Sequence, residues 1–294
     1  MDTRPLKQFL QLAESRHFGR AAQACHISPS TLSRAIKQLE DELGVLLVER
    51  DNRSVALTRA GLRFQAYARE ALDHWELLRN ELQADAGELQ GELSLYCSVT
   101  ASYSFLYEIL SRLRAEHPRI EIKLHTGDPE LALPRVQAGD EDVSIAARPE
   151  QMPQGLAFKR IATSPLLFIA PRQQQREAAP FEADLAAERW DAVPMILSEE
   201  GLARRRVDRW FRDRGLRPRI YAQVAGNEAI VSMVSLGFGV GVVPKIVLDN
   251  SPLAERVREL PVRPQLKAYE VGLFAQEKKL KSPLLSALWS QLPG

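Results

Sequence analysis

Residues 28–43 read SPSTLSRAIKQLEDEL, and Ser30, Thr31, Ser33 and Arg34 stand where a surface helix ordinarily carries Glu, Lys or Gln, which are stronger helix formers. Short hydroxyl side chains allow a helix to approach a partner closely and to exchange hydrogen bonds with phosphate oxygens or base edges. An arginine beside them reaches a phosphate or a guanine edge. Ser28 suits the N-cap and Pro29 the first helical position. A capping cluster with no ligand is the competing reading, and Ser28 alone would satisfy it. The acidic Glu40, Asp41 and Glu42 come only at the far end. Further on, Arg50 and Arg53 flank a polar turn and suit phosphate or minor-groove contact, though singly each equally suits a solvated surface.

A second group lies past residue 90. Ser98, Thr100, Ala101 and Ser102 fall between a predicted strand and a predicted helix, where free backbone N–H groups and the positive end of the dipole suit an anionic ligand. A hydroxyl-rich cap is the plainer alternative. Thr126, Ser198 and Asn227 also fall at expected C-terminal ends of strands, where open α/β sheets bind ligands. Of the neighbouring Arg204, Arg205 and Arg206, most are expected to be surface charge. Catalytic patterns are missing: there is no HExxH, GxSxG or Walker loop. Gly237, Gly239 and Gly241 lack dinucleotide spacing and point to tight packing. His117 and His125 show no obvious paired carboxylate, and no metal site is expected.

The elements that must position these groups follow from periodicity. Leu6, Phe9, Leu10 and Ala13 mark a first short helix, and Ala21, Ala22 and Cys25 give small packing residues on a second. His26 falls in the tight turn before Ser28, where a left-handed conformation is allowed though less easy than for Gly. Ile27, Leu32, Ile36, Leu39 and Leu43 form the packing stripe of the third helix. With the apolar runs VLLVER and VALT around a polar turn, this predicts a winged helix-turn-helix over residues 1–58, the helix-turn-helix itself at about 18–37. From residue 59 to 87 a long helix is expected. Its Phe64, Ala68, Ala71, Trp75, Leu78 and Leu82 step by about 4 and 3 in alternation, a seam that calls for a partner helix or for packing on its own body.

Beyond Gly87 strands and helices alternate. GELSLYCSV, IEIKLHTG, VSIAA, PLLFIAP, PMILSEEG, IYAQVAG, GVGVVP and YEVGLFAQ read as strands, with a helical run over 105–116, so largely parallel sheets are expected. The span 88–294 is long enough for two lobes, placed at about 91–162 with 266–294, and at about 163–265. The chain has 294 residues and a formal charge of +1, while residues 1–63 carry ten Lys/Arg against seven Asp/Glu, a weak sign of a polyanionic partner. Cys25 and Cys97 sit in apolar stretches without metal spacing and read as buried free thiols in a reducing compartment. A secretory leader and a membrane-length apolar run are both missing, so a cytoplasmic location with no membrane partner is expected. A solute-binding protein would account for the second half but would need a leader. An enzyme would need a catalytic constellation.

The stretch PLKQFLQLAESRHFGRAAQACHISPSTLSRAIKQLEDELGVLLVERDNRSVALTRAG resembles the N-terminal winged helix-turn-helix of the LysR-type transcriptional regulators, and the rest fits their linker helix and effector domain. The resemblance implies a multidomain fold: an all-α-rich winged helix-turn-helix, a long linker helix, and a two-lobed α/β effector domain like the periplasmic binding proteins. It implies no enzymatic activity and no cofactor. Expected partners are a double-stranded DNA operator, further copies of the chain in a homodimer or homotetramer, and RNA polymerase. Carried over by position, Ser28, Ser30, Thr31, Ser33, Arg34, Arg50 and Arg53 would contact DNA. Ser98, Thr100, Ala101, Ser102, Thr126, Ser198 and Asn227 would contact the effector. Pro29 stands where many family members have glutamine, so Ser30 or Thr31 would have to supply any base contact made by that amide. Within the family, ESRHFGRAA, SPSTLSR, CSVTASYS, HPRIEIKLHTGD and EAIVSMVSLGFGV resemble the members that activate acetohydroxy acid isomeroreductase. That likeness implies acetolactate or acetohydroxybutyrate as a small anionic co-inducer.

Overall fold

The computed structural model describes residues 2–51, 54–84, 89–172 and 181–292. The chain divides into two compact units, Met1–Ala86 and Gly87–Gly294.

In the first unit, helix α1 (Arg4–Ser15) buries Phe9, Leu12 and Ala13 and ends where Arg16 turns left-handed, its N–H donating to the Leu12 carbonyl. Helix α2 (Phe18–Ala24) is capped by His17, whose Nδ1 accepts from the N–H groups of Gly19 (3.1 Å) and Arg20 (3.3 Å). His26 takes φ 55° in the turn that follows, the left-handed conformation that its place between two helices allows. Helix α3 (Pro29–Leu43) buries Leu32, Ile36 and Leu39 against the first two helices and stops at Gly44, which has φ 68°. Leu43, expected to continue that stripe, is instead exposed, because the helix is ending there.

Strands β1 (Val48–Asp51) and β2 (Ser54–Leu57) pair antiparallel, Val48 opposite Leu57. Glu40 ties this hairpin to α3. It is buried, and its Oε1 accepts from the backbone N–H of Leu47 (2.8 Å) and Val48 (3.1 Å). Helix α4 (Arg59–Ala84) starts at Thr58, whose Oγ1 accepts from Gly61 N–H (2.9 Å) and donates to the Leu46 carbonyl (2.8 Å).

The second unit is built on two five-stranded sheets. In chain order its elements are β3 (Gln90–Cys97), α5 (Val99–Ala101), a π-helical turn over Ser102–Leu106, α6 (Tyr107–Glu116), β4 (Arg119–Thr126), α7 (Ala132–Ala138), β5 (Val143–Ala147), β6 (Leu156–Ser164), β7 (Leu166–Pro171), α8 (Glu182–Ala186), β8 (Pro194–Ser198), α9 (Gly201–Arg212), β9 (Arg219–Val224), α10 (Asn227–Ser235), β10 (Val240–Pro244), α11 (Lys245–Asp249), β11 (Val257–Leu260), β12 (Tyr269–Gln276) and α12 (Pro283–Ser290). One sheet has the order β4-β3-β5-β12-β6 and the other β11-β7-β10-β8-β9. The chain passes from the first to the second between β6 and β7, and returns between β11 and β12.

Two expectations need correction. Each sheet is mixed rather than largely parallel: β3 pairs parallel with β4 and β5, and β8 with β9 and β10, whereas β12 and β7 pair antiparallel with their neighbours. Each antiparallel pair includes a strand next to a crossing between the sheets. Strands β6 and β11 were also not foreseen, because LAFKRIATS and VREL mix charge into half-buried positions and lack clean alternation. Gly239 and Gly241 serve packing as expected, since a side chain would overlap the Pro194 carbonyl at the first and Ile230 and Val234 at the second; Gly237 does not, because a side chain there would meet nothing, and its φ of +84° is what calls for glycine.

Candidate nucleic-acid interface and ligand cleft

At the start of α3, Ser28 has extended backbone and its Oγ accepts from Thr31 N–H (3.2 Å), while also lying 2.9 Å from Ser30 Oγ and 2.8 Å from Thr31 Oγ1. Three hydroxyls thus form one exposed cluster at a helix N-terminus. Arg34 is exposed one turn on, its Nε 3.5 Å from the Ser30 carbonyl. Ser33 is half-buried. The buried Leu32 and Ile36 between them fix which face is presented. Arg50 lies on β1 opposite Val55. Arg53 lies outside the described residues.

Along α4, Ala68 is buried and Phe64 packs edge-on against Phe9 at 4.9 Å, so this end of the seam rests on its own unit. Ala71 and Trp75 are half-buried. Leu78 and Leu82 are exposed by 47% and 64%, so this end of the seam is not packed within the chain.

In the second unit a cavity of about 250 Å³ opens between the two sheets' lobes. Ser198 and Asn227 line it, as do Glu130, Glu200, Arg205 and Tyr269. Ser98, Thr100, Ala101, Ser102 and Thr126 are not among its lining residues. Ser98 caps the following helical turn, its Oγ accepting from Ala101 N–H (3.2 Å), and Ser102 Oγ donates to the Val99 carbonyl (2.7 Å). Thr100 is buried and engaged from the other lobe. Its N–H (3.2 Å) and its hydroxyl both donate to Glu228 Oε1. Thr126 is exposed at the end of β4.

Glu130 makes the reverse connection. Its carboxylate, reaching from the loop after β4, lies against the backbone where α9 begins, at Gly201 and Leu202. The residue is exposed as a whole while its carboxyl end is pressed against that backbone. Desolvation pushes the Glu130 carboxyl above its ordinary range, with Asp128 and Glu200 adding to the rise; Arg205 and the Leu202 N–H oppose it. Burial likewise pushes the Tyr269 hydroxyl up, and the Cys97 thiol up to about 11. Cys25 is half-buried rather than buried, because it caps α2 near the surface; both cysteines are free.

The three adjacent arginines each have work, contrary to expectation. Arg204 bonds Asp208 (3.0 Å), the Ser198 carbonyl (3.1 Å) and Gln223 (2.6 Å), holding the end of β8. Arg205 faces the cavity. Arg206 is buried over the Tyr269 ring at 4.9 Å and donates to the Lys267 carbonyl (2.6 Å). His125 does meet a carboxylate: its Nδ1 is 2.7 Å from Glu141, which Arg135 also approaches at 3.3 Å.

Sequence reasoning missed Glu130 and Glu200, set Arg205 among arginines expected to be mostly surface charge, and took from the Gly226–Glu228 turn only Asn227 as a site residue. A signal existed for Glu130, which follows Thr126 and Gly127 in a loop at the C-terminal end of a parallel strand, the place where ligands gather. Among the described residues no group of His, Cys, Asp and Glu could hold a metal ion, and no helix is long and apolar enough to cross a membrane.

Comparison with known proteins agrees with this division. Residues 3–62 match the family model described as bacterial regulatory helix-turn-helix protein, lysR family, and residues 86–293 match the LysR substrate binding domain. The HTH-type transcriptional activator IlvY of Salmonella typhimurium is 46% identical over 299 residues, covering 100% of both chains. Among solved structures, a full-length OxyR variant from Pseudomonas aeruginosa is similar with a TM-score of 0.67 and 24% identity, covering 99% of this chain and 94% of its own. Full-length CbnR complexed with its target DNA is similar with a TM-score of 0.61 and 23% identity, covering 99% of each. With both family models matched in order along the sequence and a full-length relative at this identity, the chain belongs to the LysR family of bacterial transcriptional regulators.

Proposed function

We propose that this LysR-type regulator activates the gene for acetohydroxy acid isomeroreductase in response to acetolactate or acetohydroxybutyrate. The observation that carries the reading is the full-length 46% identity to an IlvY activator, since both the helix-turn-helix and the ligand-binding half share in it. The protein is a regulator and not an enzyme, as its relatives are.

In this reading Ser30, Thr31 and Arg34 on α3, with Ser28 and Ser33 beside them, face the major groove of a double-stranded DNA operator. Arg50 on β1 and Arg53, the latter assigned by its position in the sequence alone, would contact the flanking DNA backbone. Leu78 and Leu82 on α4 pair with a second copy, giving a dimer or a tetramer of two dimers. The cavity between the lobes, like that of periplasmic binding proteins, takes the small hydroxy-keto acid. Ser198 and Asn227 line it directly. Ser98, Thr100, Ala101, Ser102 and Thr126 stand outside its lining and would join the site on closure. The ligand's preference for one lobe arrangement biases the equilibrium between two DNA-bound states, and one of these engages RNA polymerase.

Transcription reconstituted with purified polymerase on the isomeroreductase promoter tests this. The expected result is activation by the protein that rises on adding acetolactate. Equal transcript with and without acetolactate would contradict the effector assignment.

A further inference from the structure

The cleft carries its own anions. Among the described residues Glu130 and Glu200 line it with one guanidinium, that of Arg205, and Glu228 holds Thr100. A small anion entering beside that balance meets repulsion from like charges, which grows where water is excluded.

The position of Glu130 resolves the conflict. Helix α9 is 12 residues long and its N-cap, Glu200, gives no side-chain cap. The first N–H groups of such a helix and the positive end of its dipole draw a negative group, and the carboxylate that stands there belongs to Glu130 of the opposite lobe. Room for it is kept by Gly201, which has φ +94° and at which any side chain would overlap the Glu130 carboxylate. The contact joins a glycine at the start of one lobe's helix to a glutamate in the other lobe's loop.

We propose that Glu130 is a built-in anion at the start of α9, and that an anionic ligand binds in the cleft by taking the place of its carboxylate. The inference rests on reading the cleft as the site of a small anionic effector. It assigns Glu130 a part in specificity: it sets the threshold that an incoming carboxylate must overcome, and it spares the helix start from capture by weaker anions.

The test uses the full-length chain with acetolactate and with acetoin, its neutral decarboxylated counterpart, in titration calorimetry. Glu130→Gln keeps the shape and removes the charge, and should tighten acetolactate binding about fivefold while leaving acetoin unchanged. Hydrogen exchange needs no ligand: Glu130→Ala should speed exchange at the start of α9, at Leu202, whereas Glu130→Gln should not. Acetolactate binding that is unchanged or weaker in Glu130→Gln would overturn the proposal and leave the effector reading standing. Failure of both wild type and Glu130→Gln to bind acetolactate would instead contradict the effector reading. Unaltered exchange at Leu202 in Glu130→Ala would overturn the built-in anion whatever the ligand.

Discussion

Thr100 and Glu228, 128 residues apart in sequence, are joined across the two lobes: the backbone N–H and the hydroxyl of Thr100 both donate to one carboxylate oxygen of Glu228. A hydrogen bond to a charged group that is partly buried contributes more than a neutral one, though solvent at the exposed Glu228 reduces it. Thr100→Val keeps the buried volume and removes the hydroxyl. It should lower the unfolding free energy by about 1 kcal/mol, read from urea denaturation, with Thr100→Ser recovering most of the loss. A valine variant as stable as wild type would show that the bond contributes nothing.

At α3, replacing Ser30 and Thr31 together by alanine leaves the Ser28 cap and the Leu32–Ile36 packing untouched. Helix content by circular dichroism should therefore be unchanged. Operator affinity should fall about tenfold or more, at roughly 1 kcal/mol for each lost hydrogen bond. Wild-type affinity would remove the recognition face from this helix.

Leu78 and Leu82 lie exposed at one end of α4, while at the other end Phe64 packs on Phe9 of α1 and Ala68 is buried. Leu78→Glu places a charge in the bare stretch and not in the core. The expected result is a smaller species by sedimentation with unchanged circular dichroism. A variant that sediments as wild type would dissociate this stretch from oligomer formation.

The Glu130 carboxyl is raised by desolvation, with Asp128 on its own loop and Glu200 at the start of α9 adding to the rise, Arg205 opposing, and Tyr269 lining the same cavity. A carboxyl that holds its proton more tightly when folded gives stability that is full below its ordinary value of 4.5 and is lost as pH rises through the higher folded value. Glu130→Gln lacks that loss. Its stability relative to wild type should therefore increase between pH 4 and pH 7, measured by thermal unfolding; a constant difference would mean that the carboxyl titrates as it does in water.

The first unit was legible because its signals are local. Ser28 and Pro29 mark a helix start, Leu32, Ile36 and Leu39 mark its buried face, and His26 fits a two-helix turn. Glu40 was not, since nothing in LEDEL foretells that the first of its three carboxylates turns inward to accept from Leu47 and Val48. In the second unit the apolar strands announced themselves, while β6 and β11 were hidden by charge. The cleft was the least legible part. Its charged groups come from opposite lobes, Glu130 with Gly201 and Thr100 with Glu228, and such pairings depend on how the crossings between sheets fold back. Arg204, Arg205 and Arg206 show the same limit: three like residues in a row take three different environments because a helix turns each by about 100°.

The central claim is a DNA-bound regulator whose contact with its operator responds to a small hydroxy-keto acid. Footprinting of the purified protein on the DNA upstream of its own locus, with and without acetolactate, tests it most directly. The account predicts protection of paired half-sites in both conditions, with a change in the protected or hypersensitive positions between them when acetolactate is added. An identical footprint in the two conditions, or no protection at all, would contradict it.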